Sequence, residues 1–137
     1  MSAINAMQTK LYSVLHGDTA LMALATGGIF DRVPQGTKMP YIFIGEWEEG
    51  RFDCFSKKGK DATITVHIYD TDDDLRWGAK RCIQILARMN VLLDYVVFAV
   101  TGYTTTVYIR YDGGDSFVEP DLVTRHVTAR YRIIVQV

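Results

Sequence analysis

The chain has 137 residues and a formal charge of −1, from 15 basic and 16 acidic side chains, and is 48% hydrophobic. This length and composition predict one soluble domain, 1–137, built on a single core. The balanced charge argues against the large basic excess that is typical of proteins that bind nucleic acid or anionic membranes. The longest apolar run, at 95–100, is far shorter than the ~20 residues of a membrane helix. The polar start resembles no signal peptide, so we expect a protein made in the cytosol with no membrane partner.

The first part of the chain predicts two helices. Apolar residues at helical spacing indicate an amphipathic helix over residues 3–16, which Gly17 ends. Asp18 is suited to cap a second, short helix that Gly27 and Gly28 terminate. Nothing basic lines this second helix, which argues against a DNA-binding helix-turn-helix.

The middle of the chain predicts two strands and a long connection. Prolines and a glycine between Ile29 and Pro40 indicate a loop. The apolar run at 41–44 then predicts a strand covered on both faces. Residues 50–60 are rich in charge and predict a long hairpin loop or arm. Strict alternation over 62–69 predicts a strand with one buried face.

An apolar stripe predicts a third helix after the acidic run at 70–74. The stripe comprises Leu75, Ala79, Cys82, Ile83, Leu86 and Met89. The remainder predicts strands near 95–100, 103–111 and 122–137, with a turn at 112–115. The resulting order, α-α-β-β-α-β-β-β, predicts an α+β fold in which helices pack on a largely antiparallel sheet with an extended β-hairpin loop.

Motifs that carry chemistry are not found in this sequence. Asp70, Asp72 and Asp74 match a calcium-binding loop at its first three ligand positions, but Leu75 and Arg81 stand where Gly and Glu are required. Helix capping explains the acidic run better. The three histidines are scattered, the two cysteines are too few for a zinc site, and no nucleophile motif is present. We therefore expect no enzyme activity, no cofactor, and no catalytic or metal-binding residues.

Two groups of residues are candidates for a subunit or partner interface. The arm combines aromatic side chains, which are costly to expose, with positive charge. Its candidates are Trp47, Arg51, Phe52, Phe55, Lys57, Lys58 and Lys60. The final strand places His126, Arg130 and Arg132 on one face, opposite the apolar one. A plain solvated surface is the alternative for both groups.

Several short motifs, in the same order, resemble one family of small phage proteins. Gly28-Ile29-Phe30-Asp31 is followed by Val33-Pro34-Gln35 and by Pro40-Tyr41-Ile42, with further matches at 63–70 and 125–131. These motifs resemble the tail-completion, or tail-terminator, proteins that join head to tail in long-tailed bacteriophages and gene-transfer agents. The resemblance covers nearly all of the chain.

The resemblance implies a structural protein of the virion neck, assembled in the host cytoplasm. It implies a ring, usually of six copies, that ends tail-tube polymerisation at the head-proximal end. Its partners would be the tail-tube protein and the head-connector proteins. Genome DNA would pass through the lumen with at most weak contact, because tight phosphate binding would slow ejection. The alternatives are another neck or head-completion adaptor and a small ligand-binding or enzymatic domain. The acidic run at 72–74 departs from the family, which often has a glycine there, so this junction is expected to differ.

Overall fold

A computed structural model describes residues 3–71, 79–97, 99–103 and 105–136, without the side chains of 105–108. The elements in chain order are α1 (Ile4–His16), α2 (Thr19–Leu24), β1 (Gly28–Phe30), β2 (Tyr41–Arg51), β3 (Gly59–Thr71), α3 (Lys80–Leu93), β4 (Thr105–Val118) and β5 (Thr124–Gln136). The predicted α+β class is confirmed. Among the described residues, no helix is both long and apolar enough to cross a membrane.

The strands form one sheet in the order β1-β2-β3-β5-β4. The short β1 pairs with β2 in parallel, and the other neighbours are antiparallel, as predicted for most of the sheet. β3 and β5 pair along their whole lengths, from Gly59↔Gln136 to Thr71↔Thr124. They form the centre of the sheet, and β1 and β4 form its edges.

The helices pack on one face of the sheet, which we call the inner face. Met7, Leu11 and Leu15 of α1 and Ile85 of α3 are fully buried in a core shared with the alternate residues of the strands. The inner residues of β5 include Tyr131, whose hydroxyl donates to Asn90 Oδ1 of α3 at 2.6 Å. The alternation predicted for β3 and β5 is confirmed, because their predicted apolar faces are buried.

The face that α3 buries differs from the prediction at one position. Cys82, Ile85, Met89 and Leu93 are buried, whereas Ile83 is 53% exposed. The predicted face with Ile83 and the observed face with Ile85 both follow helical spacing and share Cys82 and Met89. The periodicity alone therefore does not distinguish between them. Packing against the sheet selects the face with Ile85. The predicted stripe is therefore wrong at Ile83, and Leu75 lies outside the described residues.

Two β predictions are also wrong. Tyr95 and Val97 are 77% and 66% exposed and lie outside any strand. Tyr95 has a φ of 58°, which turns the chain as it leaves α3. The described residues of 95–100 thus form no strand, and the structure instead has an additional strand, β1, in a segment expected to be a loop. The predicted turn at 112–115 is instead a bulge inside β4, between Tyr111 and Gly114.

Two carboxylates join helices to their neighbours. Asp18 caps α2, as predicted, by accepting from Leu21 N at 2.8 Å, and it also binds the Arg88 guanidinium of α3 at 2.7 and 2.8 Å. Asp70 is fully buried and binds Arg81 at 2.6 and 2.9 Å. Among the described residues, no side chain caps α3, whose N-cap is Ala79, so the prediction that Asp70 caps this helix is wrong. Asp72 and Asp74 lie outside the described residues.

Candidate interaction surfaces

The predicted arm is a shorter loop than its sequence suggests. β2 continues to Arg51 and β3 begins at Gly59, so Arg51 and Lys60 pair within the hairpin and only 52–58 lie beyond the strands. Phe52 N donates to Gly59 O at 3.0 Å, and Gly59 N donates to Asp53 Oδ1 at 3.1 Å. A side chain at position 59 would collide with the backbone, because a Cβ there would lie 2.5 Å from the carbonyl oxygens of two residues. We call residues 52–58 the hairpin loop.

The hairpin loop presents an aromatic ring and positive charge to solvent. The side chain of Phe55 is fully exposed, and that of Phe52 is 38% exposed. Arg51, Lys57 and Lys58 are exposed around them. Exposure of a phenyl group to water costs free energy, and aromatic residues are enriched in protein interfaces.

Trp47 does not belong to this loop. A bulge in β2 between Ile44 and Trp47 turns the indole to the inner face, where it packs against the core. Its Nε1 donates to Gln8 Oε1 of α1 at 2.8 Å. The prediction of Trp47 in a solvent-exposed arm is therefore wrong, because the indole joins α1 to the sheet.

The outer face of the sheet carries a hydrogen-bonded row across its width. His67 Nδ1 of β3 lies 2.7 Å from His126 Nε2 of β5. Beyond them, His67 Nε2 lies 2.9 Å from Glu46 Oε2, and His126 Nδ1 lies 2.7 Å from Glu119 Oε1. We call this row the histidine chain. The two histidines are 59 positions apart in the chain, and antiparallel pairing of Tyr69 with His126 brings them together.

The histidine chain has three links and therefore needs three protons when both glutamates are ionised. Two neutral imidazoles supply two protons, so filling every link requires one imidazolium. A fourth proton would set two N–H groups against each other at 2.7 Å. Burial lowers the pKa of His126, with Glu119 opposing and His67 reinforcing the effect. Two imidazolium ions would therefore leave the link between the two rings without an acceptor.

Aromatic rings surround the histidine chain. Tyr69 stacks on His126 with ring centres 4.1 Å apart, and Phe117 lies 4.4 Å from the same imidazole. Phe43 lies 5.6 Å from the His67 ring, and Tyr41 lies 5.4 Å from Tyr69. The strand pattern predicted an outward face here but not its aromatic cluster. The sequence feature that could have indicated this cluster is the pair of outward-facing residues His67 and Tyr69 in β3.

Three of these rings, those of Tyr41, Phe43 and Tyr69, line an open groove at the β1 side of the outer face. The groove has a volume of about 390 Å³ and is lined by Asp31, Arg32, Val33, Tyr41, Phe43 and Tyr69. Burial raises the pKa of Tyr69, with the charges of Glu119 and Glu46 adding to the effect. We call it the aromatic groove.

The arginines of β5 lie at the other end of the outer face. Arg132 binds the Asp61 carboxylate at 2.6 and 2.9 Å, and its guanidinium lowers the pKa of that carboxyl group. Arg130 lies 3.6 Å from Asp115. The structure thus places His126, Arg130 and Arg132 on one face, as predicted, but His126 is only 6% exposed. Its aromatic neighbours cover it, which strand alternation does not reveal.

The sequence matches the family of tail completion protein gp17 over residues 9–136. The chain belongs to this family. Its members are structural proteins of the virion tail, and this tail completion protein is therefore a structural component of a phage-like tail. The resemblance inferred from the motifs at 28–42 is confirmed.

Solved structures show the same fold. A chain from the virion of a native gene transfer agent particle superposes with a TM-score of 0.87 at 16% identity, covering 99% of this chain and 98% of that one. A second solved chain has a TM-score of 0.55 at 14% identity, covering 97% of this chain and 96% of the other. A comparison with curated proteins gave no match. The tail completion protein therefore shares its whole architecture with a chain of a virion.

Proposed function

We propose that this protein forms a ring at the head-proximal end of the tail, of six copies as the family resemblance implies. The ring ends polymerisation of the tail tube and joins it to the head connector. Its partners are the tail-tube protein, the connector proteins and other copies of itself, and genome DNA passes through its lumen with weak contact. The role requires no catalysis.

The observation that carries this proposal is the presence of two unlike surfaces on one small sheet. The hairpin loop exposes Phe55 among cations, and the aromatic groove lies next to the two glutamates of the histidine chain. A ring needs a heterologous interface, in which each copy offers two different patches to its neighbours. The likeness to a chain of a gene transfer agent virion agrees with such an assembly.

The charge of the protein agrees with a lumen that does not hold DNA tightly. The formal net charge is −1, whereas tight phosphate binding requires many Lys and Arg contacts and weakens steeply with salt. Tight binding of duplex DNA by the purified protein at physiological salt would contradict this part of the proposal.

Light scattering over a wide concentration range, followed by negative-stain imaging, tests the ring. We expect a species of about six copies with a central hole, or a monomer that becomes a ring on purified tail tubes. Added protein should stop the growth of those tubes. Binding to the head connector without any effect on tube length would instead support the neck-adaptor alternative. The absence of both self-assembly and tube binding would refute the proposal.

A further inference from the structure

We propose that Phe55 of one copy docks in the aromatic groove of the next copy. The occupant of the groove is thus a second copy of this chain, and the contact is made by the hairpin loop. This inference rests on the proposed ring and specifies which two surfaces close it. It assigns a role to Tyr41, Phe43 and Tyr69, which are not among the interface residues predicted from the sequence.

The two surfaces lie at opposite ends of the same hairpin. Tyr41 is the first residue of β2, and Arg51, next to the hairpin loop, is the last of its 11 residues. A strand rises about 3.3 Å per residue, so the loop and the groove are roughly 33 Å apart. The loop is closed by hydrogen bonds at Phe52, Cys54 and Gly59, which hold it beyond the strand ends. It does not reach the groove of its own chain, so a loop that fills the groove comes from another copy.

The chemistry of the two surfaces is complementary. The loop and its base carry Arg51, Lys57 and Lys58 against a single carboxylate, Asp53. That carboxylate already accepts a hydrogen bond from Gly59 N at 3.1 Å. The loop surface is therefore positive.

The groove and the histidine chain beside it together carry more carboxylates than cations. Asp31 and Arg32 at its rim offset each other, and the histidine chain next to it contains two glutamates. With one imidazolium in the chain the region still has a net negative charge. Phe43, Tyr41 and Tyr69 offer ring faces and edges to an incoming phenyl group, and aromatic pairs of this kind add to the free energy of burial. Opposite charges around a buried aromatic anchor are typical of specific interfaces.

Photocrosslinking tests the contact directly. The photoreactive residue p-benzoylphenylalanine replaces Phe55 in the full chain, and isotopically labelled and unlabelled protein are mixed before irradiation. We expect adducts between differently labelled copies at the tryptic peptides 39–51 and 61–76, which contain the three groove aromatics. The matched control carries the same residue at Val91, which is 65% exposed on α3. Adducts from position 55 at other peptides only, or within one copy only, would overturn the proposal.

Substitution of Phe55 supplies a second readout. Phe55→Ser should weaken self-association roughly ten- to hundredfold, the cost of leaving one phenyl group unburied. Phe55→Tyr should retain association, and Val91→Ser should not change it. Thermal unfolding of each monomer checks that the fold is intact.

The outcomes separate this inference from the proposed function. Rings that form normally with Phe55→Ser, or that crosslink elsewhere, would overturn the docking contact and leave the ring standing. Groove adducts from copies that assemble into open filaments would support the contact and contradict the ring. Failure of the unmodified protein to associate at its highest soluble concentration and on tail tubes would overturn both.

Discussion

The Nδ1 atom of His67 lies 2.7 Å from the Nε2 atom of His126, and each imidazole uses its other nitrogen to contact a glutamate. The row spans β2, β3, β5 and the residue after β4. It joins segments that are far apart in the chain across the outer face of the sheet. The protonation of one imidazole is therefore coupled to the hydrogen bonding of the other.

The first prediction concerns pH. Burial lowers the pKa of His126 below its ordinary value of 6.5. Between the lowered pKa and 6.5, the unfolded chain binds more protons than the folded one, so the free energy of unfolding falls as pH decreases. We expect lower stability at about pH 5.5 than at about pH 7.5, measured by urea unfolding. His126→Gln should reduce this dependence. An unchanged pH profile in the variant would show that other groups cause the effect.

The second prediction concerns the space beneath His67. A Cβ on Gly45 would lie 2.7 Å from His67 Cδ2 and 2.8 Å from Nε2. Gly45→Ala should therefore displace the imidazole and cost about 1–3 kcal/mol of stability, as overpacking does. The control is Gly50→Ala, whose Cβ would meet its nearest neighbour, Asp61 O, at 3.9 Å. Chemical denaturation and the imidazole NMR signals measure both effects. Equal stability of the two variants would contradict the close contact.

The third prediction tests which face of α3 is buried. Ile85 is fully buried, so Ile85→Ala should cost about 2–5 kcal/mol through lost burial and a cavity. Ile83 is 53% exposed, so Ile83→Asp should change stability by no more than about 0.5 kcal/mol. The sequence stripe predicts the opposite for Ile83, namely unfolding by a buried charge. Urea unfolding of the two variants decides between the faces.

The fourth prediction concerns the link between α2 and α3. The hydrogen bond from Arg88 lowers the pKa of Asp18 from 3.8 to about 2. The stabilisation is complete above pH 3.8 and is lost as pH falls towards 2. Asp18→Asn should remove this acid-sensitive component and lower the melting temperature at neutral pH. Arg88→Gln should act similarly, and the double variant should lose less than the sum of the two. Additive losses would show that the pair is not coupled.

The fifth prediction separates the hairpin loop from the core. Phe52 and Gly59 already face each other as the end of a hairpin, with Phe52 N donating to Gly59 O at 3.0 Å. Replacing residues 53–58 with Asn-Gly should therefore close β2 onto β3 by a favoured two-residue turn. We expect cooperative unfolding at nearly the original temperature and a loss of self-association. Loss of the cooperative transition would show that the loop stabilises the fold.

Features that depend on a few neighbouring residues could be predicted from the sequence. The helix at 3–16, the cap by Asp18 and the alternating faces of β3 and β5 follow from spacing and local hydrogen bonding, and the structure confirms each of them. The family resemblance also rested on short local motifs.

Features that depend on residues distant in the chain became visible only in the folded structure. Helical spacing allowed two faces of α3, and packing on the sheet chose the one with Ile85 rather than Ile83. The apolar run after α3 predicted a strand, but Tyr95 turns the chain at positive φ, and the described residues of the run lie outside the sheet. His67 and His126 meet because β3 and β5 pair in one register, which 59 positions of separation in the chain do not reveal. The register between strands that are distant in sequence depends on the whole sheet. The neighbours of each side chain on the outer face could therefore not be predicted from local sequence patterns.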